Sequence, residues 1–149
     1  MKKKFGNRSA LMAVSAMVGA LGLLFTAAPA QATTTTLTGT IQHCSEATAY
    51  GAARTNSYSR NAVSFRATNV GPCGGDLTIA LRNSSGKTFA RGTAGSGKSV
   101  AVKSDTGTYW VTPGTFYINA SSNGACGSST CAAGKSWAAS FSYNLQWTP

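Results

Sequence analysis

The chain has 149 residues, which is enough for one domain with a modest core but not for several. It carries 13 lysines and arginines against three aspartates and glutamates, and only 11% of its residues are charged. With so few acids, a calcium site built from several carboxylates in one short loop is excluded.

The first 32 residues predict a secretory signal peptide. Four basic side chains open the sequence: Lys2, Lys3, Lys4 and Arg8. An apolar run over residues 10–28 follows, and Ala30 and Ala32 supply the small side chains that a signal peptidase accepts. We predict cleavage after Ala32, which leaves residues 33–149 as a single secreted domain. A retained membrane anchor is the alternative. The apolar run is short for a spanning helix, however, and no second stretch of about 20 apolar residues occurs, so we expect no membrane span in the mature protein.

Removal of the signal leaves a net charge of +6, because nine basic residues then stand against three acids. The basic residues are spread along the chain, which also agrees with a purely solubilising role. If the charge serves binding, an anionic cell-wall polymer or an acidic protein is the favoured partner. Nucleic acid is disfavoured because the protein is predicted to be exported.

Alternating apolar and polar residues predict β-strands along most of the mature chain. The apolar positions expected to face the core are Leu37, Ile41, Val63, Phe65, Ala67, Leu77, Ile79, Leu81, Val100, Val102, Phe116, Ile118, Ala120, Trp137, Ala139, Phe141, Tyr143, Leu145 and Trp147. The segments NSSGK, SDTGT and the Pro113-Gly114 pair predict turns of antiparallel hairpins. KTFAR is predicted to be an edge strand, and TYWV another strand. The expected fold is an antiparallel β-sandwich of immunoglobulin-like or jelly-roll type with seven to nine strands.

Three segments lack this alternation. SEATAYGAARTNSYSR, residues 45–60, shows no clean alternation, so we count no strand there, and Ser45 favours a short helical turn. SSNGACGSSTCAAGKS, residues 121–136, predicts a glycine- and serine-rich loop. Both segments are candidates for binding, with simple connection as the alternative. The mature chain opens with four unpatterned threonines: Thr33, Thr34, Thr35 and Thr36. They predict a flexible arm, either a frayed terminus or a segment that inserts into a partner.

Four cysteines remain in the mature chain: Cys44, Cys73, Cys126 and Cys131. In an oxidising compartment an even number of cysteines predicts disulfides. Of the three possible pairings we favour Cys44 with Cys73 and Cys126 with Cys131, because the intervening GSST is a flexible loop that can close. A zinc site that combines cysteines with His43 is the alternative, but no C-x-x-C pair is present.

The segment GTAGSGKS, residues 92–99, matches the phosphate-loop pattern G-x-x-x-x-G-K-[ST]. A working phosphate loop needs a helix that begins at the Lys-Ser end and directs its positive dipole at the anion. Here VAVKSDTGTYWV follows, and its β-branched alternation predicts a strand. We therefore predict a glycine-rich hairpin connection that binds no nucleotide.

The sequence contains no recognisable catalytic set. His43 is the single histidine, and no G-x-S-x-G elbow presents a serine to it. The three acids, Glu46, Asp76 and Asp105, show no spacing that marks a glycosidase pair. We expect a protein that is not an enzyme and that has no cofactor or metal.

Aromatic side chains are the remaining candidates for binding. Trp110 and Tyr117 alternate with apolar neighbours on their predicted strands, which favours a solvent-facing position. Together with Tyr50 and Tyr58 they would stack on sugar rings of a glycan. The alternative is that loops cover these faces, because the two-residue period does not say which face is wet.

The order of elements from LTGTI through TYWVTPGTFYINA to FSYNLQW resembles the accessory β-sandwich domains found beside secreted bacterial enzymes. Gly114, Phe116 and Ile118 match the G-x-[FY]-x-[IV] pattern of their late strands. Size, signal, basic charge and the arm TTTTLTGT also resemble the small exported linker subunits of the umbrella-shaped toxin particles of filamentous bacteria. This second resemblance implies an arm that inserts as a strand into a larger chain.

Three functions are therefore hypotheses for this protein. The leading one is a secreted adaptor that binds another secreted protein or a wall polymer, with a subunit of a toxin complex as one form of it. The second is a protease inhibitor that presents the loop between Cys126 and Cys131, or the stretch from Arg54 to Arg60, to a trypsin-like cleft. The third is an antibacterial protein, which the basic charge and the aromatic C-terminus support.

Overall fold

A computed structural model describes residues 31–41, 47–71, 75–122 and 135–149 of the chain. Within these ranges every regular element is a β-strand and none is helical. The nine strands are β1 Thr33–Ile41, β2 Thr48–Asn56, β3 Asn61–Asn69, β4 Asp76–Arg82, β5 Thr88–Gly95, β6 Ser99–Ala101, β7 Lys103–Ser104, β8 Gly114–Ser122 and β9 Lys135–Gln146. The predicted all-β class is confirmed. Accordingly, no helix in this part of the chain is long and apolar enough to cross a bilayer.

The strands form two antiparallel sheets that pack as a sandwich. The first sheet has the order β1-β9-β3-β6, and the second has the order β2-β8-β4-β5-β7. Only the β4–β5 and β7–β8 connections stay within one sheet. Each of the other six connections joins a strand of one sheet to a strand of the other. This frequent crossing encloses the core from both sides.

The core is built from the inward faces predicted from the two-residue period. Trp137, Phe65, Phe116 and Phe141 are its largest fully buried side chains. Phe116 and Phe141 belong to different sheets, and their ring centroids lie 6.4 Å apart. The other predicted positions that are buried are Leu37, Ile41, Val63, Ala67, Leu77, Ile79, Leu81, Val102, Ile118, Ala120 and Ala139.

A β-bulge interrupts the alternation of the last strand. Asn144 has a φ of 55°, and the register between β9 and β3 shifts beside it. Asparagine tolerates this left-handed conformation better than most residues because its short side chain bonds to nearby backbone. Here the Asn144 side chain accepts a hydrogen bond from the Ser57 backbone N–H at 2.7 Å. Leu145 and Trp147, which follow the bulge, are half-buried rather than part of the dry face.

Two sequence predictions about strands are wrong. Residues 45–60 were expected to contain no strand, yet Thr48–Asn56 form β2. β2 lies at a sheet edge and its register shifts between Tyr50 and Arg54, so its burial does not alternate cleanly. TYWV was expected to be a strand, but of its four residues only Val111 pairs, through a single bridge to Asn61.

The segment SVAVK is divided between the two sheets. Ser99–Ala101 pair with β3 in the first sheet, and Lys103–Ser104 pair with β5 in the second. The crossing residue Val102 is fully buried, and its N–H donates to the Val63 carbonyl at 2.8 Å. KTFAR is consequently not an edge strand as predicted, because β7 covers part of the open side of β5.

The phosphate-loop match connects two sheets. Gly92 to Gly95 still belong to β5, a turn follows at Ser96 and Gly97, and Ser99 begins β6. The predicted strand after the match is confirmed. The predicted hairpin is wrong, since β5 and β6 lie in different sheets.

The strand ends that flank the cysteine-containing segments lie at the same end of the sandwich, which we call the cysteine end. The end of β1 pairs with the start of β9, Ile41 opposite Lys135, and the start of β4 pairs with the end of β8, Leu77 opposite Ser122. The four cysteines, His43, Glu46 and the predicted signal residues 1–30 lie outside the described residues. The predicted disulfides and the zinc alternative therefore stay predictions.

Candidate functional site

The outer edge of β1 is the first candidate surface. β1 is nine residues long and pairs with β9 from Thr33 to Ile41 without any register shift. It contains no charged residue and no proline. Among the described residues, no strand pairs with its other side. This edge therefore presents regular backbone N–H and C=O groups, which is the geometry that accepts an added strand.

The three other sheet edges are protected in ways that β1 is not. β6 has three residues and β7 has two, so neither presents a long ladder. β2 is as long as β1, but it carries Arg54 and a register shift after Tyr50. Short strands, bulges and charged side chains are the usual means by which proteins prevent edge-to-edge pairing.

The Thr33–Thr36 segment is part of this strand. Each of its residues has a backbone partner on β9, from Tyr143 to Ser140. The Thr34 hydroxyl also lies 2.9 Å from the Ser142 hydroxyl. In this structure the four threonines are thus a paired strand, and insertion into a partner would require them to leave β9.

Tyr50 closes the sandwich between β1 and β2. Its hydroxyl accepts a hydrogen bond from the Trp137 indole N–H at 2.8 Å and donates to the Thr40 carbonyl at 3.3 Å. Its ring meets the Trp137 ring edge-on, with centroids 5.5 Å apart. The ring lies over Gly39, where a Cβ atom would come within 2.2 Å of the Tyr50 hydroxyl. Tyr50 is therefore committed to structure at both its ring and its hydroxyl.

Tyr117 and Arg82 form a second pair on the outer face of the second sheet. The Arg82 guanidinium lies 5.0 Å from the Tyr117 ring centroid. The guanidinium also donates to the Asn119 side chain at 2.8 Å and to the Tyr50 carbonyl at 3.2 Å. These contacts fix the Tyr117 ring beside a cation, on a face away from β1.

Arg60 and two tryptophans form a cluster at the end of the sandwich opposite the cysteine end, which we call the aromatic end. The Arg60 guanidinium lies 5.1 Å from the Trp110 ring centroid and 5.9 Å from that of Trp147. The buried Asn61 side chain holds the turn that carries Arg60, because it accepts from the Tyr58 N–H at 3.1 Å and donates to the Tyr58 carbonyl. The backbone of Asn61 in turn pairs with Val111, next to Trp110.

Arg54 lies apart from this cluster, within β2. Burial lowers the pKa of its guanidinium from the ordinary value, and an electrostatic interaction with Tyr143 opposes that shift. The guanidinium donates to the Ala52 carbonyl at 2.9 Å. The stretch from Arg54 to Arg60 is thus the end of a strand followed by a tight turn, and both arginines are engaged with their own chain.

The structure brings only some of the predicted binding residues together. Arg60, Trp110 and the Tyr58 backbone share the aromatic end, whereas Tyr50, Tyr117 and Thr33–Thr36 belong to other surfaces. Sequence reasoning missed Trp147 and Asn61 at this end. The signal available for Asn61 was only its position after a serine-rich turn. Within the described ranges, no group of three or more His, Cys, Asp and Glu side chains lies close enough to hold a metal ion.

Comparisons with known proteins yield a weak structural likeness. No protein-family model matches the chain, and no curated protein matches it. A solved structure from work on disulfide-linked pili that form Bacillus endospore appendages is 12% identical, with a TM-score of 0.35. The alignment covers 80% of this chain and 93% of that one. A TM-score this low assigns neither fold family nor function.

Proposed function

We propose that the protein is a secreted, non-catalytic interaction module that binds an extended strand of another secreted protein along the open edge of β1. The observation that carries this proposal is the contrast among the four sheet edges. One nine-residue edge is regular and uncharged, while the others are very short or bulged. Backbone hydrogen bonds along such an edge supply affinity that does not depend on a deep pocket.

The charge distribution agrees with a protein partner at this edge. The mature chain carries a net charge of +6, with nine basic residues against three acids, but β1 contributes none of that charge. A neutral edge does not repel a second basic molecule and does not select for an acidic polymer. The toxin-complex linker that the sequence resembles would use a strand in a related way, and it is one form of this proposal.

The test adds charge to the edge and, as a control, to the neighbouring strand. The edge variant is Thr36→Lys with Thr38→Lys. The control is Ser140→Lys with Ala138→Lys, which lie directly opposite these threonines on the same sheet. Both variants gain two lysines, but only the first places them on the open strand. Immobilised mature proteins are incubated with medium from cultures of the source organism, and retained proteins are quantified.

We expect the wild type and the control to retain the same partner, and the edge variant to lose at least about 90% of it, a tenfold change. Equal retention by the edge variant, or no partner at all, contradicts the proposal. Size-exclusion chromatography with light scattering is run in parallel. If the wild type is a dimer that the edge variant abolishes, the strand bound at this edge belongs to a second copy of this chain. That result would contradict a foreign partner.

A further inference from the structure

A groove of about 460 Å³ lies at the aromatic end, beside the turn that follows β7. Phe89, Trp110 and Val111 provide its apolar walls, and serine and threonine side chains surround them. Its volume falls within the range of small-molecule sites. We propose that this groove binds an uncharged oligosaccharide, a site separate from the edge of β1.

Trp110 is the anchoring wall. It is half-buried, and the Arg60 guanidinium lies over its ring. Arg60 does not line the groove, so the groove reaches the indole from another side. A fixed aromatic surface that remains partly accessible is suited to the apolar C–H face of a sugar ring.

The hydroxyl groups of the turn are arranged so that they can accept hydrogen bonds. Thr108 Oγ1 donates to the Trp110 carbonyl at 2.8 Å, so the Ser104 hydroxyl must donate to Thr108 Oγ1 at 2.7 Å. Ser104 Oγ then accepts from the Thr108 N–H at 3.0 Å and from the Thr106 hydroxyl at 2.9 Å. Each hydroxyl has one proton and two lone pairs. The hydroxyl protons of Ser104, Thr106 and Thr108 are therefore all donated within the turn, and both lone pairs of the Thr106 hydroxyl remain available.

Asp105 adds a carboxylate to the same rim. Its backbone N–H donates to the Phe89 carbonyl at 2.9 Å, which fixes the turn on β5. One carboxylate oxygen lies 3.6 Å from the exposed Arg91 guanidinium, in a solvent-accessible pair. Acceptors on Asp105 and Thr106 match the O–H donors of a sugar and oppose an anion. Lys87 also lines the groove, so its two charged lining residues, Lys87 and Asp105, carry opposite charges and an uncharged ligand is the complementary one.

A second groove of about 260 Å³ adjoins the first. It shares Phe89 and Thr112 with it and continues along Asn83 and Pro113. Two connected depressions of this kind suit a chain of sugar units better than a single ring.

The experiment is a titration of the folded mature protein with chitotetraose and with cellotetraose, both uncharged, followed by tryptophan fluorescence and calorimetry. We expect at least one of them to bind saturably with a Kd below about 10 mM. Trp110→Ala weakens binding by about tenfold or more. Trp147→Ala is the matched control, because this tryptophan also contacts Arg60 but does not line the groove.

Asp105→Asn and Thr106→Val are tested as well, because Trp110→Ala could weaken binding by unfolding the protein. Both side chains are exposed, and each change is expected to weaken binding several-fold. The lysine pair on β1 leaves saccharide binding unchanged, which separates this proposal from the strand-addition function. The proposal is overturned if neither oligosaccharide binds saturably, or if binding is the same in Trp110→Ala, Asp105→Asn and Thr106→Val as in the wild type.

Discussion

Among the glycines that the structure describes, Gly39 leaves the least space for a side chain. A methyl group at this position would meet the Tyr50 hydroxyl at 2.2 Å and two ring carbons at 2.7 Å. The ring is held by Trp137 and by the Thr40 carbonyl, so it cannot swing away without breaking both hydrogen bonds. We predict that Gly39→Ala lowers the free energy of unfolding by about 1–3 kcal/mol, measured by urea denaturation.

Gly51→Ala serves as the control for this substitution. Gly51 follows Tyr50 on β2, in the second sheet, and nothing lies within 4 Å of a Cβ added there. We expect a change of at most about 0.5 kcal/mol, because Gly51 has neither contacts to lose nor a steric conflict. Similar destabilisation by both alanines would show that Tyr50 does not occupy the space over Gly39.

Tyr50 also shows the limit of sequence reasoning at the scale of one residue. From its place in an unpatterned segment it was assigned to sugar binding, together with Tyr58. The two-residue period identified which side chains of β3, β4 and β8 are buried. It contained no information about a ring from an edge strand that turns over the neighbouring sheet. Contacts of this type depend on tertiary packing, which a local pattern does not encode.

At the scale of the element, the segment GTAGSGKS shows how one sequence pattern can serve two different structures. In this chain the backbone N–H of Gly97 donates to the Ala67 carbonyl at 2.7 Å, and that of Lys98 donates to the Gly95 carbonyl at 3.0 Å. The Arg66 side chain adds a bond to the Gly97 carbonyl at 3.2 Å. Two of the N–H groups that a phosphate loop would offer to an anion are thus already bonded, one to β3 and one within the turn.

We predict that Mg-ATP does not raise the melting temperature of the mature protein, and that Lys98→Ala leaves this result and the melting temperature unchanged. Lys98 is exposed, and a ligand at 100 times its Kd would add about 2.7 kcal/mol of stability if it bound. Gly97→Ala, by contrast, should destabilise by about 1–2 kcal/mol because Gly97 has a φ of 73°. A rise in melting temperature with Mg-ATP that Lys98→Ala removes would contradict this assignment.

The strands of the fold differ in how well the sequence predicts them. β3, β4 and β8 are flanked by strands on both sides, so their inward residues alternate and are easily recognised. β2 has one neighbour and a register shift, which exposes residues on both of its faces. The SVAVK segment alternates correctly, but a change of sheet at Val102 has no signature in a two-residue period. Binding surfaces are harder still, because the groove combines side chains from β5 with the turn after β7.

At the scale of the whole molecule, the described ends of β1 and β3 bear on the predicted disulfide pairing. β1 and β3 flank β9, and their ends at Ile41 and Asn69 pair with its first residues. Two strand spacings of about 4.8 Å each separate these ends, a distance that short chain segments can bridge. This spacing is compatible with a bond between Cys44 and Cys73, which lie outside the described residues, so the pairing stays a prediction.

We predict that the double variant Cys44→Ser/Cys73→Ser loses about 3–4 kcal/mol of unfolding free energy, and Cys126→Ser/Cys131→Ser about 2 kcal/mol, because the first bond closes the longer loop of the unfolded chain. Urea denaturation of the oxidised proteins measures both values, and the wild type in reducing agent should be at least as unstable as the first variant. A peptide map under non-reducing conditions identifies the bonds directly. A bond between Cys44 and Cys126 would contradict the pairing.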